Sequence, residues 1–149
     1  IQFIWQTGKY YYPQVTETVR AAGELPNLYV TDFIKDMAAA YAASDLVISR
    51  AGAGSISEFC LLHKPVVLVP SPNVAEDHQT KNALALVDKQ AAIYVKDSEA
   101  EAKLMDVALN TVADDRKLKE LSENIAKLAL PDSARIIAQE VIKLAEAEN

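Results

Sequence analysis

The stretch DLVISRAGAGSISEF, residues 45–59, joins an apolar run, a glycine pair and a helix-like segment in immediate succession. An uninterrupted apolar run of strand length is typical of a parallel strand that is covered on both faces. The runs KPVVLVP at 64–70 and AAIYV at 91–95 repeat the pattern, with helix-like segments between them. The sequence therefore predicts an α/β fold, a Rossmann-like parallel sheet with helices on both faces.

Apolar spacing and residues that favour helix ends predict the elements before this stretch. We expect a buried strand at 1–5, then a helix that Pro13 opens and Gly23 closes. A short strand at 28–30 and a helix at about 35–43 follow. The chain would thus reach the glycine pair after two strand–helix units.

Polar residues mark the helix starts in the second half. Asp, Ser and Thr before an apolar-periodic segment can accept hydrogen bonds from the first helical N–H groups, and a Glu three residues later completes a capping box. Pro131 is expected to break the helical carboxyl-terminal region. The predicted caps are Asp77 for a helix at about 78–88, the box Ser98–Glu101, and Asp132 or Ser133 for the last helix, and the chain is expected to be wholly helical from Asp114.

Composition limits the classes of protein that fit. The chain has 149 residues, 50% of them hydrophobic, and a formal charge of -6, which fits a compact soluble domain, and 1–149 is predicted to be one domain. The acidic balance and the scattered Lys and Arg residues argue against nucleic-acid binding. Cys60 is the one cysteine, which excludes an intrachain disulfide and favours a reducing, cytoplasmic setting.

The amino end lies inside an apolar run. Ile1 follows no initiator Met and no charged lead-in, so we expect a segment of a longer protein that is incomplete at its N-terminal end. No stretch approaches the ~20 consecutive apolar residues of a membrane span. We therefore expect no direct membrane contact from this segment.

The glycine loop between the strand and the helix has two interpretations. The first turn of a helix offers unpaired N–H groups and the positive end of the helix dipole, so Gly52 and Gly54 could let a phosphate approach closely. A dinucleotide fingerprint would need a third glycine where Ser57 stands, and no Gly-Lys-Ser or Gly-Lys-Thr of a Walker A motif is present. The alternative is a tight turn that needs glycine for backbone reasons alone.

Two further features favour a ligand. Glu58 lies about one turn into the helix, where a carboxylate could accept hydrogen bonds from vicinal ribose hydroxyls; the alternative is a solvated helix glutamate. The second loop, PSPNVAEDHQTKNAL at 70–84, follows a buried strand and should open at the same edge of the sheet. Ordinary helix capping is its alternative explanation. Its candidate sugar-binding side chains are Asp77, His78, Gln79 and Asn82.

Common hydrolase and metal signatures are missing from the sequence. Neither HExxH nor G-x-S-x-G occurs, and the acids near predicted helix starts are expected there for their interaction with the helix dipole. No carboxylate is placed to orient His78 as a general base. We expect no metal and no cofactor, and no catalytic residue in this segment.

The segment FIKDMAAAYAASDLVISRAGAGSISEFCLLHKPVVLVPSPNVAEDHQTKNALAL, Phe33 to Leu86, closely resembles the carboxyl-terminal half of the bacterial MurG glycosyltransferase family. A weaker similarity continues into LPDSARIIAQEVIKL and covers most of the chain. The resemblance implies a GT-B fold, two Rossmann-like halves that face a cleft, of which this chain is the donor-binding half. The resemblance also implies that the acceptor domain lies outside this sequence.

The resemblance also implies roles for individual positions. Ile34 falls where the family reads uracil through backbone groups, and Glu58 falls on the glutamate that holds the ribose hydroxyls. Gln79 matches a glutamine that contacts the GlcNAc moiety, with His78 and Asn82 beside it. Arg50 matches a family arginine, either in a structural ion pair or in phosphate contact. The turn that faces the donor's diphosphate is Gly52, Ala53, Gly54 and Ser55.

The implied function is UDP-GlcNAc binding in an inverting N-acetylglucosaminyltransferase that converts lipid I to lipid II in peptidoglycan synthesis. The full-length enzyme is expected to be peripheral on the inner face of the cell membrane, with the lipid-linked acceptor bound by the missing half, so the fragment alone should be inactive. The alternatives are another GT-B UDP-sugar lipid glycosyltransferase, a UDP-GlcNAc epimerase, or a standalone donor-binding subunit that needs a membrane partner.

Overall fold

A computed structural model describes residues 1–72 and 77–147. The chain divides into two compact units, Ile1–Ser44 and Asp45–Asn149. Part of the second loop, Asn73–Glu76, lies outside the described residues. That the chain forms one nucleotide-sugar domain stays a prediction.

The first unit contains two parallel strands, each followed by a helix. Strand β1 (Phe3–Gln6) pairs with β2 (Leu28–Thr31) in the register Phe3 to Leu28 through Gln6 to Thr31. Helix α1 spans Gly8–Ala21, and α2 spans Met37–Ala43. Asp36 caps α2, since its Oδ1 accepts a hydrogen bond of 2.9 Å from the Ala39 N–H.

The predicted start of the first helix at Pro13 is wrong. Helix α1 begins at Gly8, directly after β1, and contains Pro13 in its interior. Gly8 has a φ of 74°, a conformation that glycine adopts without steric cost and that turns the chain out of the strand. Pro13 removes one N–H from a helix of 14 residues, so the helix continues through it. Gly23, with a φ of 94°, follows the helix end as expected.

The second unit contains three parallel strands and five helices among its described residues. Strand β4 lies in the middle, with Val47 of β3 opposite Val66 and with Ile93 of β5 opposite Val67. Every strand pair of the described residues is parallel, which confirms the predicted α/β class. The elements are β3 (Val47–Ser49), α3 (Ala53–Leu62), β4 (Val66–Leu68), α4 (His78–Val87), β5 (Ile93–Tyr94), α5 (Asp97–Val112), α6 (Asp115–Ala126) and α7 (Ser133–Ala147).

The central strand and the helices beside it form the core of the second unit. Val66, Val67 and Leu68 of β4 are fully buried, as the continuous apolar run predicts. Val67 and Val69 form one cluster with Val95. Partly buried side chains from the strands and from α5 pack against this cluster: Leu46, Ile93, Ala100, Leu104 and Val107.

Helix α6 closes the core through its apolar face and fixes loop ends through its polar residues. Leu121 and Ile125 are buried, and α6 packs against α3 and α5. The Ser122 hydroxyl donates to the backbone oxygen of His63 at 2.8 Å, and the Asn124 amide donates to that of Gln90 at 3.1 Å. Both acceptors lie just after the end of a helix. The side chains of α6 thus donate to carbonyl groups that have no partner within the preceding helix.

Two predicted caps differ from the structure. Helix α5 begins at Asp97 with Lys96 before it, and no side chain caps it, so the predicted box Ser98–Glu101 is wrong. Glu99 instead pairs with Lys103 one turn later at 2.8 Å; this hydrogen bond and the ammonium charge lower the pKa of Glu99. Asp77 precedes α4 as expected, but with a φ of 55° and without a side-chain cap bond.

Replacing Ile125 by Ala tests the role of α6 in the core. Ile125 is fully buried, so we expect Ile125→Ala to lower the free energy of unfolding by about 2–5 kcal/mol in urea titration. Ile142→Ala on α7 is the matched control, because Ile142 is 55% exposed and should change stability little. Equal losses for the two variants would contradict this account of the core.

Candidate functional site

The loops that follow β3, β4 and β5 meet at one edge of the second unit. Because the three strands are parallel and paired in register, their carboxyl ends lie side by side. The loops begin at Arg50, Val69 and Val95. Open α/β sheets bind ligands at this edge, so the glycine loop and the described start of the second loop, residues 70–72, lie where the sequence predicted them.

The start of α3 presents unpaired backbone donors. The first hydrogen bond of the helix runs from the Ile56 N–H to the Gly52 oxygen at 3.0 Å. The N–H groups of Ala53, Gly54 and Ser55 precede it, so the helix gives them no acceptor. Gly52 precedes the helix and offers no side-chain cap. Three N–H groups and the helix dipole thus form a place that favours an anion.

The two glycines of this loop are not required by the backbone. Gly52 has a φ of -69°, and Gly54 lies within α3, so neither adopts the left-handed conformation that favours glycine. Apart from its chain neighbours and the backbone of α3, a Cβ atom added at either position would meet no atom of the described residues within 4 Å. The backbone therefore gives no conformational reason for glycine at these two positions, which argues against the tight-turn interpretation. The absence of side chains leaves space in front of the helix start.

Glu58 lies on the same helix, three residues after Ser55. Side chains at this spacing share one face of a helix, so the Glu58 carboxylate lies on the same face of α3 as Ser55. Glu58 is exposed, and the next two residues, Phe59 and Cys60, are buried and hold the helix to the core. Burial raises the pKa of the Cys60 thiol. The helix is thus anchored by one side while it presents a carboxylate on another.

Arg50 links the ends of two strands to the start of α5. Its Nη1 donates to the backbone oxygens of Val69 at 3.1 Å and Pro70 at 3.4 Å, and it forms an ion pair with Asp97 Oδ1. The sequence left two roles open for Arg50, and the structure shows the ion pair. Asp97 was not identified as a site residue from the sequence. The one feature of the sequence that points to Asp97 is its position just after β5, at the same edge of the sheet.

Gln79 and Asn82 of α4 bind the backbone of the neighbouring loops. The Gln79 Oε1 accepts hydrogen bonds from the N–H groups of Ala51 at 3.2 Å and Ser71 at 2.9 Å. The Asn82 Nδ2 donates to the Ala51 oxygen at 3.2 Å. The structure thus brings both residues to the glycine loop, while His78 is exposed at the first position of α4.

Ile34 belongs to the first unit. Its N–H donates to the Gln6 Oε1 at 2.8 Å, so the side chain at the end of β1 holds the peptide that follows β2. The Thr31 hydroxyl donates to the Phe33 oxygen at 3.1 Å in the same segment. Ile34 thus lies in a different unit from the other predicted site residues, and its contact with uracil stays a prediction.

Residues 1–72 and 77–147 contain neither a candidate metal-binding cluster nor a candidate membrane-spanning helix. No three His, Cys, Asp or Glu side chains gather in a group that could hold a metal ion. In the same part of the chain, no helix is both long and apolar enough to cross a bilayer.

Curated relatives match almost the whole chain. The sequence is 99% identical over 149 residues to the UDP-N-acetylglucosamine–N-acetylmuramyl-(pentapeptide) pyrophosphoryl-undecaprenol N-acetylglucosamine transferase of Bacteroides thetaiotaomicron, with 100% of this chain and 40% of that protein covered. It is 45% identical to the transferase of the same name from Flavobacterium psychrophilum, over 99% of this chain and 39% of that protein. The chain thus spans about two fifths of the length of these relatives.

Solved structures and a family profile agree with these relatives. The MurG crystal structure from Acinetobacter baumannii matches with a TM-score of 0.83 and 30% identity, over 96% of this chain and 41% of that one. The glycosyltransferase VinC, at 19% identity and a TM-score of 0.73 over 98% of this chain and 34% of that one, shows the fold alone. The profile of the glycosyltransferase family 28 C-terminal domain matches residues 1–137. The chain therefore belongs to the glycosyltransferase family 28 C-terminal domain family, which confirms the MurG-type resemblance of its sequence.

Proposed function

We propose that this chain is the UDP-GlcNAc-binding half of an inverting N-acetylglucosaminyltransferase that converts lipid I to lipid II. The observation that carries the proposal is the start of α3, where the helix gives three N–H groups no acceptor and two glycines carry no side chains. The names of the curated relatives supply the donor and the acceptor. In this proposal the helix start binds the donor's diphosphate.

In the proposed reaction the acceptor hydroxyl attacks the anomeric carbon of GlcNAc. A new bond from that carbon to the acceptor oxygen forms as the bond to the diphosphate oxygen breaks, and the configuration at the carbon inverts. Negative charge develops on the departing UDP. The N–H groups of Ala53, Gly54 and Ser55 stabilise this charge without any rearrangement, which is electrostatic preorganisation of a leaving group.

Other residues of the proposed site select the donor. The Glu58 carboxylate accepts hydrogen bonds from the two ribose hydroxyls. His78, Gln79 and Asn82 lie on the first turns of α4, beside the loop that receives the diphosphate. The Gln79 NH2 group is the part of this side chain that its bonds to Ala51 and Ser71 leave for a sugar hydroxyl.

Glu58→Gln in the full-length Bacteroides thetaiotaomicron transferase, at the matching position, tests the ribose contact. Loss of the charge should weaken UDP-GlcNAc binding by about 1.5–3 kcal/mol, the usual worth of a hydrogen bond to a charged group. Isothermal titration calorimetry measures this change. The loss should be smaller for 2′-deoxy-UDP-GlcNAc, which lacks one of the two hydroxyls.

Glu101→Gln provides the control for that measurement, since Glu101 is an exposed acid on α5 and makes the same change of charge. Its affinity for UDP-GlcNAc should equal that of the wild type. If Glu58→Gln also binds like the wild type, Glu58 does not hold the ribose.

The 149-residue chain alone should transfer no GlcNAc to a lipid I analogue, because it matches only 40% of the length of the Bacteroides thetaiotaomicron transferase. The full-length Bacteroides thetaiotaomicron transferase is the positive control, and radiolabelled donor detects the product. Transfer by the 149-residue chain would overturn its assignment as a donor-binding half. Donor selectivity is tested with the full-length enzyme: a higher affinity for UDP-glucose or UDP-galactose than for UDP-GlcNAc would favour a different sugar nucleotide.

A further inference from the structure

The backbone of Ala51 is held by side chains rather than by secondary structure. Ala51 is fully buried and lies between the end of β3 and the start of α3. Its N–H donates to Gln79 Oε1, and its oxygen accepts from Asn82 Nδ2, both at 3.2 Å. Buried backbone groups without partners are costly, so these two amides determine which conformation of the loop is stable.

The same two amides come from one face of one helix. Gln79 and Asn82 are three residues apart on α4, a spacing that places side chains next to each other. Gln79 Oε1 also accepts from the Ser71 N–H at 2.9 Å, so one oxygen joins the loop after β3 to the loop after β4. We call the bonds from Gln79 and Asn82 to Ala51 and Ser71 the Ala51 clamp.

We propose that Gln79 and Asn82 are positioning residues for diphosphate binding, through the Ala51 clamp. The peptide that they hold is followed directly by Gly52, and glycine has the largest conformational freedom of any residue. Fixing Ala51 fixes where α3 begins and therefore where the N–H groups of Ala53, Gly54 and Ser55 stand. The inference rests on the proposed function and adds a role beyond direct sugar contact.

The two roles of Asn82 predict different ligand dependence. A residue that contacts the sugar contributes to UDP-GlcNAc affinity and nothing to UDP affinity. A residue that positions the diphosphate loop contributes equally to both ligands, because both carry the diphosphate. Uridine carries no phosphate, so its affinity should not respond to the clamp but would fall if the variant disturbed the whole domain.

The experiment measures UDP-GlcNAc, UDP and uridine binding to the full-length Bacteroides thetaiotaomicron transferase with Asn82→Ala at the matching position. We expect the Kd for UDP-GlcNAc and for UDP to rise by the same factor, roughly three- to tenfold, which is the worth of one neutral hydrogen bond. The Kd for uridine, measured by competition, should not change. Asn82→Leu, which removes the amide at nearly the same volume, should repeat this result if the smaller side chain unfolds the protein.

Lys81→Ala is the matched control, because Lys81 is the exposed neighbour of Asn82 on α4 and makes no clamp bond. Three outcomes overturn the positioning role: a loss for UDP-GlcNAc with UDP unchanged, a parallel loss for uridine, or no loss at all. Failure of the wild-type enzyme to bind UDP-GlcNAc would be a distinct result, since it refutes the proposed function itself and the clamp proposal with it.

Discussion

Strands that end inside a protein leave backbone N–H and C=O groups that the sheet does not pair. The site described above is built largely from the side chains that pair these groups. Gln79 and Asn82 bind Ala51 after β3, and Arg50 binds the oxygens of Val69 and Pro70 after β4. Because buried polar backbone must find partners, the edge where strands end becomes both rigid and rich in polar side chains. Those are the properties that a preorganised binding site needs.

The sequence predicted most of the features that local patterns encode. The apolar runs gave the parallel strands, and the succession of strand, glycine pair and helix gave the loop before α3. The prediction failed where local signals conflict: Pro13 reads as a helix start, but the chain already turns at Gly8 and the helix tolerates one missing N–H. The role of Asp97 was equally hidden, since its partner Arg50 is 47 residues away and only the pairing of β3, β4 and β5 brings the two together.

The positive potential that an anion needs at the candidate site does not come from the net charge of the chain. The chain carries a formal charge of -6, and the Arg50 guanidinium at the candidate site is paired with Asp97. The backbone dipoles at the start of α3 are therefore a source of positive potential that does not depend on Arg50. Such dipoles are fixed in direction by α3 itself, so they need no rotamer to be ordered when the ligand arrives. The proposed diphosphate site is therefore compatible with the acidic charge of the chain.

The clamp also limits how Gln79 can recognise a sugar. Its Oε1 accepts two backbone hydrogen bonds, so only its NH2 group is left, and an NH2 group donates but does not accept. Asn82 differs, because its Nδ2 uses one of its two N–H groups for Ala51 and its Oδ1 is outside that bond. A hydroxyl can donate and accept at once, so a donor from Gln79 and an acceptor from Asn82, one helical turn apart, suit a single sugar hydroxyl. In the proposed site, the bonds of the Ala51 clamp thus also restrict Gln79 to the role of a donor, while Asn82 keeps an acceptor for the sugar.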